Sequence, residues 1–134
     1  MRYMGFILAL ALPTWSPLAQ ESAEYRACSE KARTQAQMNA CANEEATRAD
    51  ADLSRAYDNV LSKAESDPEA VAKIKALETA WTAYRDAYIE ATYPARDKQA
   101  EYGSVYPMEV DILRAKLTRQ QIAAVKDLLQ HYGN

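Results

Sequence analysis

Residues 34–64 read TQAQMNACANEEATRADADLSRAYDNVLSKA, and this stretch decides the fold. It contains no glycine or proline and is rich in alanine and long polar side chains, a composition that favours a helix. Thr34 followed by Gln37 is a capping-box pattern, which marks a helix start. A long helix is therefore predicted over residues 35–64. Its apolar side comprises Met38, Ala42, Ala49, Leu53, Ala56, Tyr57, Val60 and Leu61.

A second long helix is predicted over residues 68–92. Asp67 is placed to cap its first turn, Pro68 suits the first helical position, and Pro94 ends or kinks the helix. Because the loop between the two long helices is short, they should be antiparallel neighbours. The apolar stripe of the second helix has three- and four-residue spacing and comprises Val71, Ile74, Leu77, Trp81, Tyr84 and Tyr88.

Turn-forming residues divide the rest of the chain. Residues 93–107 hold two prolines and Gly103 among charged side chains, and are predicted to be irregular. A third helix is predicted over residues 107–116. Thr118 with Gln121 repeats the capping-box pattern, so a last helix should follow and end near Gly133.

The N-terminus has the pattern of an export signal. Arg2 precedes an apolar run over residues 4–12, which Pro13 and Pro17 interrupt before the small residue Ala19. Such a run is too short to span a bilayer but fits the core of a signal peptide. Residues 1–19 are predicted to be a signal peptide and residues 20–134 the mature domain, in the periplasm or secreted, without stable membrane insertion. The alternative, an N-terminal membrane or core helix, is disfavoured because the prolines end the run so early.

Two cysteines, Cys28 and Cys41, remain in the predicted mature domain. In an exported chain a pair of cysteines indicates a disulfide. Along one unbroken helix their Cα atoms would be about 20 Å apart, whereas a disulfide requires roughly 4.4–6.8 Å. The chain must therefore turn between them if they are bonded. Two free buried thiols are the alternative, and metal binding is less favoured because no histidine lies near either cysteine.

The predicted fold class is therefore all-α: a small antiparallel helical bundle with two long helices, two shorter C-terminal helices and one disulfide. The chain has 134 residues and a net charge of −3, which becomes −4 when Arg2 is removed with the signal peptide. A nucleic-acid partner would call for clustered lysine and arginine, so none is predicted. Mild acidity is compatible with a basic protein partner.

Residues suited to catalysis are scarce. His131 is the only histidine and lies at the frayed C-terminal end, so Ser–His and Cys–His mechanisms lack a base. There is no glycine-rich phosphate loop and no cluster with metal-ligand spacing. Carboxylate pairs are numerous, but no pair is distinguished from the others. The chain is predicted to be a binding protein rather than an enzyme, with no cofactor and no metal.

Arg85 lies on the aromatic face of the second helix, since it is four residues after Trp81 and three before Tyr88. A guanidinium cannot lose its charge and requires a partner. Asp50 is the expected one, because it lies on the core-facing side of the preceding antiparallel helix. A structural ion pair Asp50–Arg85 is predicted, and contact of Arg85 with a ligand or partner protein is the alternative. The expected core motif consists of Tyr57, Trp81 and Tyr84.

Several strings occur in an order that is typical of one family. They are Q-A-Q-M-N-A-C over residues 35–41, A-D-A-D-L over 49–53, Tyr57, W-T-A-Y-R-D over 81–86, G-S-V-Y-P-M over 103–108 and L-T at 117–118. Together they resemble the LprI-type lysozyme inhibitor family of small exported bacterial proteins. The resemblance implies a secreted helical domain, and some members of the family inhibit lysozyme.

The chain also departs from this family's pattern. Many relatives have two further cysteines, at the positions occupied here by Ile89 and Leu113. Their joint absence implies that those two are partners in the relatives, and hence that Cys28 pairs with Cys41. Gln121 and Ser54 replace an arginine and an asparagine of the relatives.

The leading functional hypothesis is a periplasmic inhibitor of a lysozyme or another peptidoglycan-cleaving enzyme. The expected partner surface is the irregular segment, with Tyr93, Arg96, Tyr102 and Tyr106, because aromatic and charged side chains there suit a cleft. The segment is alternatively a mere connection between helices. A helical envelope scaffold without inhibitory activity, or an immunity protein against a wall-degrading toxin, are the alternative functions.

Overall fold

The computed structural model describes residues 21–133. Its elements, in chain order, are α1 (Ala23–Lys31), α2 (Gln35–Lys63), α3 (Pro68–Thr92), α4 (Lys98–Tyr102), a short 3-10 helix (Gly103–Val105) and α5 (Tyr106–Gly133). No strand occurs in this part of the chain, which confirms the all-α class. The predicted signal peptide, residues 1–19, lies outside the described residues.

The two long helices begin at the residues that local capping chemistry predicts. The Thr34 side chain accepts a hydrogen bond from the N–H of Gln37, whose own side chain returns to the cap backbone. Asp67 caps α3 by accepting from the N–H groups of Glu69 and Ala70. Each cap satisfies backbone donors that have no partner within the helix.

A disulfide joins α1 to α2, as predicted. The Cα atoms of Cys28 and Cys41 are 5.7 Å apart, because the chain turns between the end of α1 and the cap at Thr34. Cys41 is buried with Tyr25 and Ala42, while Met108 and Ile112 of α5 pack against this cluster. The disulfide therefore holds α1 against the start of α2.

The two short C-terminal helices predicted from the sequence are one helix of 28 residues, α5. Thr118 does not cap a new helix, because its hydroxyl donates to Asp50 Oδ1 at 3.1 Å. Gln121 donates from Nε2 to the hydroxyl oxygen of Tyr57 at 2.8 Å. The two side chains of the apparent capping box are thus used in contacts with α2. The segment before α5 also differs from the prediction, since it contains α4 and the 3-10 helix.

α5 packs along α2, and the two helices run parallel. The hydrogen-bonded pairs that join them keep a similar separation in sequence, as expected of parallel helices. They include Asn43 with Asp111 (68), Glu45 with Arg119 (74), Asp50 with Thr118 (68) and Tyr57 with Gln121 (64). Three alanines are fully buried where the helices meet, Ala46, Ala49 and Ala115. Further along, Leu53, Tyr57 and Val60 pack with Val125 in the largest hydrophobic cluster.

α3 returns antiparallel to α2, as the short loop predicts, but it buries little of its expected stripe. Ala70 and Ile74 join the large cluster and Trp81 packs against it, whereas Leu77, Tyr84 and Tyr88 are 41%, 57% and 44% exposed. The prediction that Tyr84 belongs to the core motif is wrong. The apolar residues predicted for α3 lie on two adjacent sides of the helix. Only the side with Ile74 and Trp81 packs against the other helices.

Loss of the disulfide should weaken the fold measurably. The Cys28→Ala/Cys41→Ala variant should have a free energy of unfolding lower by about 3 kcal/mol, because the bond closes a loop of this size in the unfolded chain. Urea denaturation measures the difference. Wild-type protein unfolded under reducing conditions is the matched control and should lose a similar amount. Equal stability of oxidised and reduced protein would contradict the prediction.

Candidate functional site

Glu45 lies where α1, α2 and α5 meet, and its side chain is only 2% exposed. Its carboxylate accepts hydrogen bonds from the backbone N–H of Ser22 at 2.9 Å and from the Ser22 hydroxyl at 2.5 Å. Arg48 of the same helix donates from Nη2 at 2.9 Å. Arg119 of α5 completes the set with an ion pair and hydrogen bond. One buried carboxylate therefore connects the cap of α1 with two other helices.

These contacts keep Glu45 ionised. Burial by itself would raise the pKa of the carboxyl, but the hydrogen bonds from Ser22, Arg48 and Arg119 more than offset it. The net result is a pKa below the ordinary glutamate value of 4.5. The negative charge of Glu45 is thus paired with arginines, and its oxygens accept hydrogen bonds. A buried charge is tolerated under these conditions.

Asp50, further along α2, connects this helix to α3 and α5. Its Oδ1 accepts the hydrogen bond from Thr118 and is 3.6 Å from Arg85 Nη1. Its Oδ2 is 3.6 Å from Arg114 Nε. The structure thus brings Asp50 and Arg85 together, but the pair is shared with Arg114 and is not fully buried. The Asp50 side chain is 38% exposed and that of Arg85 is 16% exposed.

Arg85 has its other partners on α3 itself. Its Nε donates to Asp86 Oδ1 at 2.9 Å, and its guanidinium lies over the Trp81 ring, 5.2 Å from the centroid, a distance typical of cation–π contacts. An open pocket of about 230 Å³ lies beside it, lined by Asp50, Leu53, Ser54, Glu78, Trp81, Thr82 and Arg85. Because two carboxylates and an aromatic ring already satisfy the guanidinium, the arrangement favours the structural interpretation of Arg85.

Three of the predicted partner-surface residues contact one another. The rings of Tyr93, Tyr102 and Tyr106 form a cluster with centroid separations of 5.3, 5.3 and 5.6 Å. The Tyr102 hydroxyl accepts a hydrogen bond from the backbone N–H of Ala95 at 3.1 Å. All three tyrosines are half-buried. This tyrosine cluster joins the start of the connection, at Tyr93, to its end, at Tyr106.

The charged groups of the connection lie outside the tyrosine cluster. Lys98 donates to the carbonyl of Tyr93 and to Glu90. Burial, followed by the negative charge of Glu109, raises the pKa of Tyr93, so its hydroxyl keeps its proton. Of the four predicted partner-surface residues, Arg96 is the exposed one.

Sequence reasoning missed the contribution of Glu45 and of the arginines on α5, Arg114 and Arg119. A signal for Glu45 was present, because it lies three residues after Ala42 and four before Ala49, on the apolar side of α2. A glutamate at such a position indicates a buried carboxylate that requires a cation. The identity of the cation could not be derived, because Arg119 is 74 residues away.

Within residues 21–133 there is no group of three or more histidine, cysteine, aspartate or glutamate side chains arranged to hold a metal ion. In the same range, no helix has the combination of length and apolar character that crossing a membrane requires. His131 is exposed near the C-terminus, with its ring against that of Tyr132 at 5.5 Å.

Comparison with known proteins identifies relatives of this chain. The sequence model of the family described as lysozyme inhibitor LprI matches residues 28–125. An uncharacterized protein of Rhizobium meliloti (strain 1021) is 33% identical over 116 residues, which cover 78% of this chain and 80% of that protein. No solved structure matches the chain significantly.

Glu45 should contribute to stability in a pH-dependent way. Its folded-state pKa lies below its ordinary value, so its ionised form stabilises the fold above about pH 4.5. This contribution should be lost as the pH falls through the lowered pKa. Glu45→Gln should reduce the free energy of unfolding by about 2–3 kcal/mol at neutral pH, because charged hydrogen bonds are lost at a buried site.

The measurement is urea denaturation from pH 7 to pH 3 on the wild type, Glu45→Gln and Glu44→Gln. Glu44 is the matched control, since its side chain is 65% exposed and its ion pair with Arg48 is long, at 3.9 Å. The free energies of unfolding of Glu45→Gln and Glu44→Gln should differ strongly at pH 7 and converge at low pH. Equal stability of the two variants at neutral pH would contradict the assignment.

Asp50→Asn should destabilise the protein more than Arg85→Met does. Asp50 has partners on both α3 and α5, whereas loss of Arg85 leaves Asp50 with Thr118 and Arg114. The coupling between Asp50 and Arg85 should be only about 0.5–1 kcal/mol, because water reaches the pair. A double-mutant cycle by denaturant unfolding measures it. Strictly additive effects would show that the contact carries no energy.

Proposed function

This chain belongs to the LprI lysozyme inhibitor family, and on that premise we propose that it is an exported envelope protein that binds and inhibits a lysozyme. The observation that supports the proposal is the extent of the family match. Residues 28–125 include all of α2, α3 and α4 and most of α5. The similarity therefore extends through most of the bundle and the connection that precedes α5.

The connection, residues 93–106, is the surface we propose for the enzyme. The tyrosine cluster joins its two ends, which limits the conformational entropy that is lost when the connection is bound. Arg96, Asp97 and Glu101 are exposed on it. A segment with packed aromatic rings and exposed charged side chains suits a substrate cleft better than the flat side of a helix does.

Charge supports the same proposal. Lysozymes cleave glycosidic bonds with a pair of carboxyl groups in the cleft, and Arg96 is the exposed cation available to meet them. The net charge of the whole chain is −3. An acidic protein is steered towards a basic enzyme, which increases the rate of association.

A helical interaction module without inhibitory activity is the second candidate. The exposed apolar side chains of α3, Leu77, Tyr84 and Tyr88, favour it. Exposed apolar patches on a small domain are commonly protein-binding sites. Under this alternative the connection between α3 and α5 has no partner.

Arg96→Ala should weaken lysozyme inhibition by about tenfold or more, as expected for loss of a central arginine in an interface. Lys116→Ala is the matched control, because it removes an exposed positive charge on α5 and should leave inhibition unchanged. The assay titrates lysis of bacterial cell walls by several animal and bacterial lysozymes, and circular dichroism verifies folding.

Equal inhibition by Arg96→Ala and Lys116→Ala would show that the enzyme contacts a surface other than the connection. Absence of inhibition by the wild type against every lysozyme would instead support the interaction module.

A further inference from the structure

α3 carries a second apolar face that nothing in the described chain covers. Its residues, here called the α3 seam, are Leu77, Ala80, Tyr84, Ala87 and Ala91, all exposed. Leu77 is 41% exposed and Tyr84 57% exposed. Their spacing is three, four, three and four residues.

This spacing is the pattern of two helices packed side by side. Apolar residues that alternate at intervals of three and four form a continuous line, and each inserts between side chains of a facing helix. The core-facing side of α3, with Ile74 and Trp81, is a different set of residues. The α3 seam is therefore not a by-product of the contacts within the bundle.

We propose that the α3 seam binds the α3 seam of a second copy of this chain, in an antiparallel, two-fold symmetric dimer. The sizes of the side chains support this arrangement. Two antiparallel copies of α3 can be aligned so that the numbers of any two facing residues sum to 164. In this register Leu77 faces Ala87 of the second copy, and Tyr84 faces Ala80. Each large side chain then meets a small one, and two-fold symmetry repeats both contacts.

Charge supports the same register. Lys73 continues the line of the seam towards the start of α3, and in this register it comes beside Glu90 of the second copy. Both side chains are exposed, although Glu90 also accepts a hydrogen bond from Lys98 within its own chain. Attraction between these ends favours the antiparallel arrangement.

A parallel pair would be poorly matched. It would place Tyr84 against its own copy, alanine against alanine, and Lys73 against the same positive charge. The α3 seam itself also lacks the charged groups expected of a surface that enters a polar cleft. Interfaces between identical subunits are, in contrast, more apolar than other interfaces.

Sedimentation analysis of the purified chain over a range of concentrations tests the dimer. Wild type should sediment as a dimer at high concentration. Tyr84→Glu should raise the dissociation constant by about tenfold or more, because it would bury an unpaired charge opposite Ala80. Thr79→Glu is the matched control, since it adds the same charge on an exposed position of α3 outside the seam.

Cross-linking tests the orientation. In a Leu77→Cys/Ala87→Cys variant the antiparallel pair should form disulfides between the two copies. The two positions cannot bond within one chain, because ten helical residues separate them by about 15 Å. Leu77→Cys alone should cross-link only in a parallel pair.

A monomer at all concentrations would overturn the proposal, as would a dimer unaffected by Tyr84→Glu. Efficient cross-linking of Leu77→Cys alone would overturn the antiparallel arrangement. Loss of lysozyme binding in Tyr84→Glu, with the wild type monomeric, would assign the seam to the enzyme instead.

Discussion

α2 and α5 meet through alanines, and the other contacts of the fold follow from how close the two helices come. Ala46, Ala49 and Ala115 are buried with at most 1% of their surface exposed. Small side chains allow helix axes to approach closely, so the polar groups that flank the alanines come within hydrogen-bonding distance across the interface. Glu45 binds Arg119 and Asp50 binds Thr118 on either side of this contact. Larger side chains at the alanines would separate both pairs and leave buried charge uncompensated.

The helix starts and the disulfide could be derived from the sequence because they depend on residues close together in the chain. Thr34 with Gln37, and Asp67 with Pro68, are complete signals in themselves. Thr118 with Gln121 has the same pattern but no cap, since long-range hydrogen bonds to Asp50 and Tyr57 engage both side chains. Periodicity likewise located the apolar residues of α3, but it could not decide which of two adjacent faces contacts α2. That choice depends on helices that are distant in sequence.

The strings that carry the family resemblance contact one another in the folded chain. Asn39 donates to the backbone carbonyl of Ser104, and Asp50 contacts both Arg85 and Thr118. Gln121, just after the L-T string, donates to the buried hydroxyl of Tyr57. These contacts join α2 to the 3-10 helix, to α3 and to α5. In the proposed function the enzyme contacts Arg96, which lies outside the strings, so membership of the family and activity against a given lysozyme are separable properties.

The proposed dimer would place its two connections far apart. In the antiparallel register the two-fold axis passes near residue 82, and the connection begins at residue 93. Eleven helical residues on each side of the axis separate the two connections of a dimer by roughly 33 Å along α3. Each copy would then present its own Arg96 and its own tyrosine cluster at an opposite end of the dimer. The α3 seam ends at Ala91, two residues before the connection, so the start of the second copy's α3 would border each connection. The dimer would thus carry one enzyme contact at each end, next to the interface between the copies.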